Sequence, residues 1–252
     1  MAVLEYSLKR DGNKRIQTNF KVKEFASKDG ADQILIDRAI VDYLQAIRDC
    51  TLATSCHIAS GYRTIEYNKK IGGSATSKHC LGKAADFNCR RVLSYYKADR
   101  LACVAELLGI PGIEKISDTN LHIDVRSGNK WFSVQKQQNG VRQYVTLQQI
   151  GYNSWFAYTK NSLHSLDIKN PFSEPTKTVA KGSRGSDVRW VQYQLILAEC
   201  LPLLNSQGGC NIDGNFGGET EKALMKFQRE TGLLEVDGRC GKQSRMLLKK
   251  FL

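Results

Sequence analysis

The chain has 252 residues, of which 41% are apolar and 25% charged, and a formal net charge of +12. These fractions are those of an ordinary soluble globular protein. No run of about 18 apolar residues occurs, so we expect no membrane-spanning segment. The first residues lack the apolar core of a secretory signal, so we expect a protein that is cytoplasmic until another route releases it.

Basic residues are spread along the whole chain. From Lys177 onward, 12 basic and 8 acidic residues give a net charge of +4, and 25 basic and 17 acidic residues give +8 before it. A field of this sign attracts a polyanion such as nucleic acid, anionic lipid or an anionic cell wall, although a solvated surface explains it equally well.

The eight cysteines include no Cys-x-x-Cys pair, which argues against a zinc ribbon. Without a signal peptide we expect reduced thiols by default, several of them packed as small apolar side chains. In an oxidising exterior bridges become possible, but the spacing alone does not assign them.

The first half of the chain mixes predicted helices and strands. Apolar residues recur at helical spacing over 31–50, which predicts an amphipathic helix. Residues 56–64 indicate a strand that runs into a loop, and residues 94–110 indicate a second helix that ends near a glycine and a proline. Apolar and polar residues alternate over 119–127, the period of a half-buried strand.

The second half is less regular at first and then becomes helical. Asn139-Gly140 between two extended segments predicts a β-hairpin, and the proline-bearing segment 170–178 predicts a linker. Three further helical patterns, joined by glycine and aspartate turns, follow from Val179 onward.

We therefore predict an α+β fold class for the first part and a small all-α domain at the end. The boundaries are 1–135 for a domain with an antiparallel sheet and helices, 136–176 for a hairpin-containing extension and linker, and 177–252 for a three-helix domain.

One short motif carries candidate chemistry. His79 and Asp86 belong to the pattern His-x-x-Gly-x-Ala-x-Asp, in which Gly82 permits a turn and Ala84 leaves room beside the site. His122 comes from the distant alternating strand. Two histidines and one carboxylate are a sufficient ligand set for catalytic zinc, with the fourth position open to water. By itself this pattern is weak, because a lone histidine is more often structural than a ligand.

The residues around the motif carry a more specific pattern. The stretches "NFKVKEFASKDG", "SGYRTIEYNKKIGGSATSKHCLGKAADFN" and "LHIDVR" occur in this order. They strongly resemble the D-Ala-D-Ala metallopeptidase family, the bacterial relatives of hedgehog-type domains, over roughly residues 19–132. The resemblance implies one Zn²⁺ per chain, with His79, Asp86 and His122 as its ligands.

The same resemblance implies substrate-binding residues and leaves the general base open. It implies that Arg63 steadies a substrate carbonyl or carboxylate, for which the guanidinium fork of donors is suited, and that Asn68 fixes the loop of the same element. Thr119 stands where many relatives carry Asp or Glu. Asp118 is displaced from that position by one residue. We favour Asp124, which lies on the ligand face of its strand, either as the base or as the residue that orients a ligand.

The tail carries a second resemblance. Its stretches "GSRGSDVRWVQYQL", "DGNFGGETEKALMKFQRETGL" and "VDGRCGKQSRMLL" are similar to the three-helix peptidoglycan-binding module of many wall hydrolases. Most matching residues have a folding role, such as Asp-Gly turns, a Thr220 cap, and Phe216 and Phe227 as core anchors. The pattern therefore identifies the module without identifying ligand contacts.

Together the resemblances imply a zinc peptidase that hydrolyses a peptide bond in the stem peptides or cross-links of bacterial peptidoglycan, held on the wall by its tail. D,D-carboxypeptidase and endopeptidase cleavage both stay open, as do a phage endolysin and a host remodelling enzyme. The alternative is a non-catalytic wall-binding protein with a structural zinc site. Nucleic-acid binding would rest on charge alone, without a recognition motif. We expect a monomer whose partner is peptidoglycan.

Overall fold

The computed structural model describes residues 3–138, 141–233 and 235–251. The chain divides into two compact units, 1–155 and 156–252, each described here by itself. Among the described residues, no helix combines the length and the apolar character that crossing a bilayer requires.

The first unit contains both strands and helices. Its strands are β1 (Val3–Ser7), β2 (Arg15–Gln17), β3 (Phe20–Lys21), β4 (Gln33–Asp37), β5 (Ser55–Ser60), β6 (Ala84–Arg91), β7 (Ser94–Tyr95), β8 (Gly112–Lys115), β9 (Leu121–Asp124), β10 (Trp131–Gln138) and β11 (Val141–Thr146). Its helices are α1 (Leu8–Asp11), α2 (Arg38–Thr51), α3 (Ile65–Lys70) and α4 (Ala98–Leu107), and α5 (Trp155–Thr159) begins at its last residue.

Seven strands form the central sheet, in the order β11-β10-β8-β9-β6-β5 with β7 paired to β6. Every neighbouring pair is antiparallel except β10 with β8. The predicted α+β class with an antiparallel sheet is confirmed, and the sheet is made mixed by this one parallel pair. After β9, which is antiparallel to β8, the chain crosses to the other side of β8 and reverses direction again. Strand β10 therefore runs parallel to β8.

One face of the sheet is apolar and the other carries polar side chains. Helices α2 and α4 pack against the sheet, and Phe87, Ile113 and Ile123 are fully buried. Successive side chains of a strand point to opposite faces. Asp86 and His122, which neighbour these apolar residues in sequence, therefore lie together on the other face.

The helix predicted over 31–50 begins later than expected. Residues Gln33–Asp37 form β4, which pairs with β1. Helix α2 begins at Arg38, where the Asp37 carboxylate accepts a hydrogen bond from the backbone N–H of Ala39 at 3.0 Å. The prediction was wrong at this end because a short apolar run does not distinguish a strand from a helix, and β1 was not predicted.

The predicted hairpin is present as β10 and β11, which pair antiparallel. Its turn residues, Asn139 and Gly140, lie outside the described residues. Because both strands complete the central sheet, they fall within the first unit. The segment 136–176, predicted as a separate extension and linker, is thus divided between the two units.

A disulfide joins two neighbouring strands of the sheet. Cys56 of β5 and Cys89 of β6 are register partners, and their sulfur atoms are bonded. This pair differs from the reduced state expected from the sequence. The bond lies three residues from Asp86 along β6.

The second unit contains the helices α6 (Ser186–Leu197), α7 (Gly218–Glu230) and α8 (Lys242–Leu248). Its largest fully buried side chains include Tyr193 and Phe227. The predicted small helical domain is confirmed, with Phe227 in the core as expected.

A buried glutamine holds the turn that precedes α7. Gln192 donates through Nε2 to Asp213 Oδ1 at 2.8 Å and to Thr220 Oγ1 at 3.2 Å. Its Oε1 accepts a hydrogen bond from the Gly214 N–H at 2.9 Å. Thr220, predicted as a helix cap, is instead a partner of this glutamine, since α7 begins after Gly217 without a side-chain cap.

The same pattern occurs again one helix later. Gln228 of α7 donates to Asp237 Oδ1 at 3.0 Å and to Ser244 Oγ at 3.2 Å, and accepts from the Gly238 N–H at 3.0 Å. Both glutamines are buried. In the second unit, the same arrangement therefore occurs twice: a buried glutamine of one helix binds the following Asp-Gly turn and a hydroxyl group of the next helix.

We expect Gln228→Met to lower the free energy of unfolding of the second unit by about 1–3 kcal/mol, because the buried partners of a removed amide keep their desolvation cost. Hydrogen exchange at the backbone amides in the middle of α6, which do not bond to Gln228, measures this unit separately from the first. The matched control is Gln243→Met on the exposed face of α8, for which we expect a change within about 0.5 kcal/mol. Equal losses in the two variants would contradict a specific role for Gln228.

Candidate metal centre

Three side chains from separate elements meet on the polar face of the sheet. His79 lies in the 3-10 turn Lys78–Leu81, Asp86 in β6 and His122 in β9. His79 Nε2 is 3.2 Å from both Asp86 Oδ1 and His122 Nδ1, and those two atoms are 2.8 Å apart. Among the described residues this is the cluster whose donor atoms could share one metal ion.

The spacing of the three atoms suits a tetrahedral ion. Zinc bonds of about 2.0–2.1 Å place neighbouring ligand atoms about 3.3 Å apart. Two of the three separations, at 3.2 Å, are close to that value, and the third, at 2.8 Å, is shorter. Two imidazole nitrogens and one carboxylate oxygen also form a donor set that zinc accepts, with a fourth position left for water or substrate.

Both histidines are held from behind by a hydrogen bond. His79 Nδ1 donates to the backbone carbonyl of Gly61 at 2.6 Å, and His122 Nε2 donates to Asp124 Oδ2 at 3.3 Å. A proton on the rear nitrogen leaves the lone pair of the front nitrogen for a metal ion. The two front nitrogens are the ones that converge on Asp86.

The turn that carries His79 depends on Gly82, as the motif predicted. Gly82 has a φ of +66, and a Cβ at this position would lie 2.4 Å from the carbonyl oxygen of Leu35. Any other residue would therefore push the 3-10 turn away from β4 and move His79.

Asp124 is committed to positioning His122. Its side chain is fully buried and accepts hydrogen bonds from Arg126 on both oxygens, one of them at 2.7 Å. Burial alone would raise its pKa, but the hydrogen bonds from Arg126 and His122 lower the pKa of Asp124 to about 2. A Cβ on Gly112 would lie 2.3 Å from the Asp124 carboxyl carbon, so this glycine makes room for it. Of the two predicted roles, the geometry favours orientation of a ligand over that of a base.

Asp118, the other candidate base, lies in the turn between β8 and β9. Its side chain is 98% exposed and faces Lys115 at 3.8 Å. It is not part of the cluster on the sheet face.

Arg63 contacts a candidate ligand. Its Nη2 donates to Asp86 Oδ2 at 2.7 Å and its Nε donates to Ser60 Oγ at 2.8 Å. The guanidinium thus turns the other carboxylate oxygen, Oδ1, towards the two histidines. The substrate contact implied for Arg63 stays a prediction.

Asn68 is buried beneath the loop that follows α3. Its Nδ2 donates to the carbonyl of Ser74 at 2.9 Å, and its backbone carbonyl accepts from the Gly73 N–H at 2.8 Å. These contacts fit the predicted role of fixing the loop, and the substrate contact predicted for Asn68 stays a prediction.

Glu114 lies on the ligand face and was not predicted. It is the register partner of His122 on one side and of Ser133 on the other, and Asp86 is the next partner beyond His122. The side chain is 5% exposed, and Gln135 Nε2 donates to it at 3.4 Å. Burial raises the pKa of Glu114 to about 7, against the opposing effect of His122. The one available signal was an acidic residue inside a short apolar segment.

An aromatic side chain borders the cluster. The Trp131 ring lies edge-on to His122, with centroids 6.4 Å apart, and the Arg126 guanidinium lies 4.3 Å from the indole centroid. Arg126 therefore links the wall of the site to Asp124, the residue behind His122.

Comparisons with known proteins assign two segments of the chain to described families. Residues 16–124 match the family profile described as Peptidase M15, and residues 184–248 match that of a peptidoglycan binding domain. Among solved structures, the chain is similar to the SleB N-terminal domain at 29% identity, with 31% of this chain and 96% of that chain covered and a TM-score of 0.26. No curated protein matches it.

The family profiles support a metallopeptidase-type hydrolase that also carries a domain of the peptidoglycan-binding type. More specifically, residues 16–124 form a domain similar to M15 peptidases, and residues 184–248 form one similar to peptidoglycan-binding domains.

Proposed function

We propose that the protein is a zinc-dependent peptidase that hydrolyses a peptide bond in the stem peptides or cross-links of bacterial peptidoglycan. The observation that carries this proposal is the convergence of His79 Nε2, Asp86 Oδ1 and His122 Nδ1. Each of the three side chains is fixed by a further protein group. The peptidoglycan-binding domain supports the choice of substrate and the bacterial wall as the site of action.

Zinc fits this donor set better than magnesium or calcium, because those hard cations prefer oxygen ligands throughout. His79, Asp86 and His122 would hold the ion. When bound, zinc polarises a carbonyl group and lets a water molecule lose a proton near neutral pH.

Glu114 is the carboxylate that accepts the proton of the attacking water and passes it to the leaving amine. It lies one strand from His122 on the ligand face. Asp124 is engaged by Arg126 and His122, and Asp118 is exposed in a turn. Among these three acids, Glu114 alone lies beside the ligands without a cation bound to it.

The peptidoglycan-binding domain raises the local concentration of substrate at the peptidase domain. Tethering of this kind changes the rate on intact walls without changing the chemistry at the metal centre. It is also compatible with either endopeptidase or D,D-carboxypeptidase cleavage.

The test uses defined muropeptides, with mass spectrometry of the products. We expect cleavage that a chelator abolishes and added zinc restores. Release of terminal D-alanine would identify a carboxypeptidase. Separation of two cross-linked stem peptides would identify an endopeptidase. Binding to walls with no cleavage of any muropeptide in the presence of zinc would overturn the proposal in favour of a non-catalytic wall-binding protein with a structural metal.

We expect Asp124→Asn to weaken zinc binding by about 10–100-fold, the usual effect of removing the partner behind a ligand histidine. An asparagine keeps the shape but presents a neutral oxygen or an amide to His122 Nε2. Competition with a chromophoric chelator measures the affinity. Asp118→Asn is the control and should leave the zinc affinity unchanged. If Asp124→Asn also left the zinc affinity unchanged, Asp124 would not position His122 for metal binding.

A further inference from the structure

Two turns of the first unit that hydrogen bonds join expose large apolar side chains. Leu52, in the turn after α2, is 60% exposed; Val92 and Leu93, in the turn between β6 and β7, are 75% and 91% exposed, and Tyr95 of β7 is 48% exposed. We call these four residues the tip patch. Single exposed apolar residues are ordinary, but a cluster of them marks an interaction surface.

Hydrogen bonds join the two turns. The backbone N–H and the Oγ1 of Thr54 both donate to the carbonyl of Arg90, at 2.8 and 3.0 Å. The hydroxyl of Tyr96 donates to the carbonyl of Thr51. These contacts hold Leu52 and the β6–β7 turn at one end of the sheet, so the tip patch is a single surface.

Basic residues flank the tip patch along the chain. Segments 48–54 and 90–97 contain Arg48, Arg90, Arg91 and Lys97, and their sequences include one acidic residue, Asp49. Arg90, Arg91 and Lys97 are exposed. The Arg90 guanidinium lies 4.7 Å from the Tyr95 ring centroid, which places this charge directly beside the apolar surface.

We infer that the tip patch docks on the surface of an anionic lipid bilayer. Apolar side chains at the tip enter the boundary between headgroups and acyl chains, while the flanking cations bind anionic headgroups. An anionic wall polymer would satisfy the cations but offers no apolar phase for Leu93 and Val92. A stable protein–protein interface needs about 1,000 Å² or more of buried surface, which four side chains on two turns do not supply.

The experiment measures co-sedimentation of the full-length protein with vesicles. Vesicles of phosphatidylcholine alone are compared with vesicles that also contain phosphatidylglycerol. We expect binding to the anionic vesicles that falls as salt rises. Val92→Ser/Leu93→Ser should lower the partition coefficient about tenfold or more, because two aliphatic side chains no longer insert. Arg90→Gln/Arg91→Gln should lower it as well and weaken its dependence on salt.

Met246→Ser is the matched control, because Met246 is 56% exposed and lies in the other unit. It should bind vesicles as the unchanged protein does. Leu93→Ser alone replaces a side chain that makes almost no contact with the fold, so a loss of binding in this variant does not reflect unfolding. Three results would overturn the inference: unchanged vesicle binding by Val92→Ser/Leu93→Ser, a defect of that variant on purified walls but not on vesicles, or a concentration-dependent dimer that the variant abolishes.

Discussion

Replacement of Glu114 by glutamine is expected to lower the rate of peptide cleavage by about 10²–10⁴-fold, the range that general acid–base catalysis contributes. Glutamine keeps the size of the side chain but cannot accept a proton from water. The three candidate metal ligands do not include residue 114, so zinc stoichiometry should stay at one per chain. Turnover of a soluble muropeptide by the zinc-loaded protein measures the effect.

Asp118→Asn is the matched control for charge, since it removes an acid from the turn beside the strand of Glu114. We expect full activity from it. The assignment of the proton acceptor would be wrong if Glu114→Gln cleaved at the normal rate, or if it lost zinc together with activity. In the second case Glu114 would belong to the support of the metal centre.

His79→Ala and His122→Ala are each expected to abolish zinc binding at micromolar metal and to reduce cleavage to background. Each variant removes one of three protein donors and leaves too few for the tetrahedral site. Elemental analysis of protein prepared without metal and then reconstituted with zinc measures the stoichiometry, which should be near one per chain before the change.

His57→Ala tests whether the loss is specific. His57 is exposed on β5 and its replacement should leave one zinc per chain. If His79→Ala and His122→Ala both retained a full equivalent of zinc, the metal centre would have to lie elsewhere in the chain.

The candidate ligands could be predicted from the sequence because most of their arrangement is local. His79 and Asp86 are seven residues apart, and Gly82 between them reports the turn that brings them together. His122 is distant, but the alternation of its strand already assigned it to a polar face. The order of the three elements then matched a known family.

The proposed proton acceptor, Glu114, could not be predicted in the same way. Its position depends on the pairing of β8 with β9, which brings Glu114 beside His122 across the sheet. Strand β8 has four residues and no alternation of its own, and the family's usual position is occupied by Thr119. The engagement of Asp124 by Arg126 is likewise a tertiary contact that spacing along a strand does not reveal.

The two glutamine-centred hydrogen-bond networks of the second unit make it sensitive to deamidation, a slow covalent change that is separate from thermal unfolding. Gln192 Nε2 lies 2.8 Å from Asp213 Oδ1, and Gln228 Nε2 lies 3.0 Å from Asp237 Oδ1. Deamidation of either glutamine would put a buried carboxylate against an exposed aspartate, and like charges at this distance repel each other. The lifetime of the folded domain is therefore tied to the hydrolysis of two side-chain amides, which their burial shields from water.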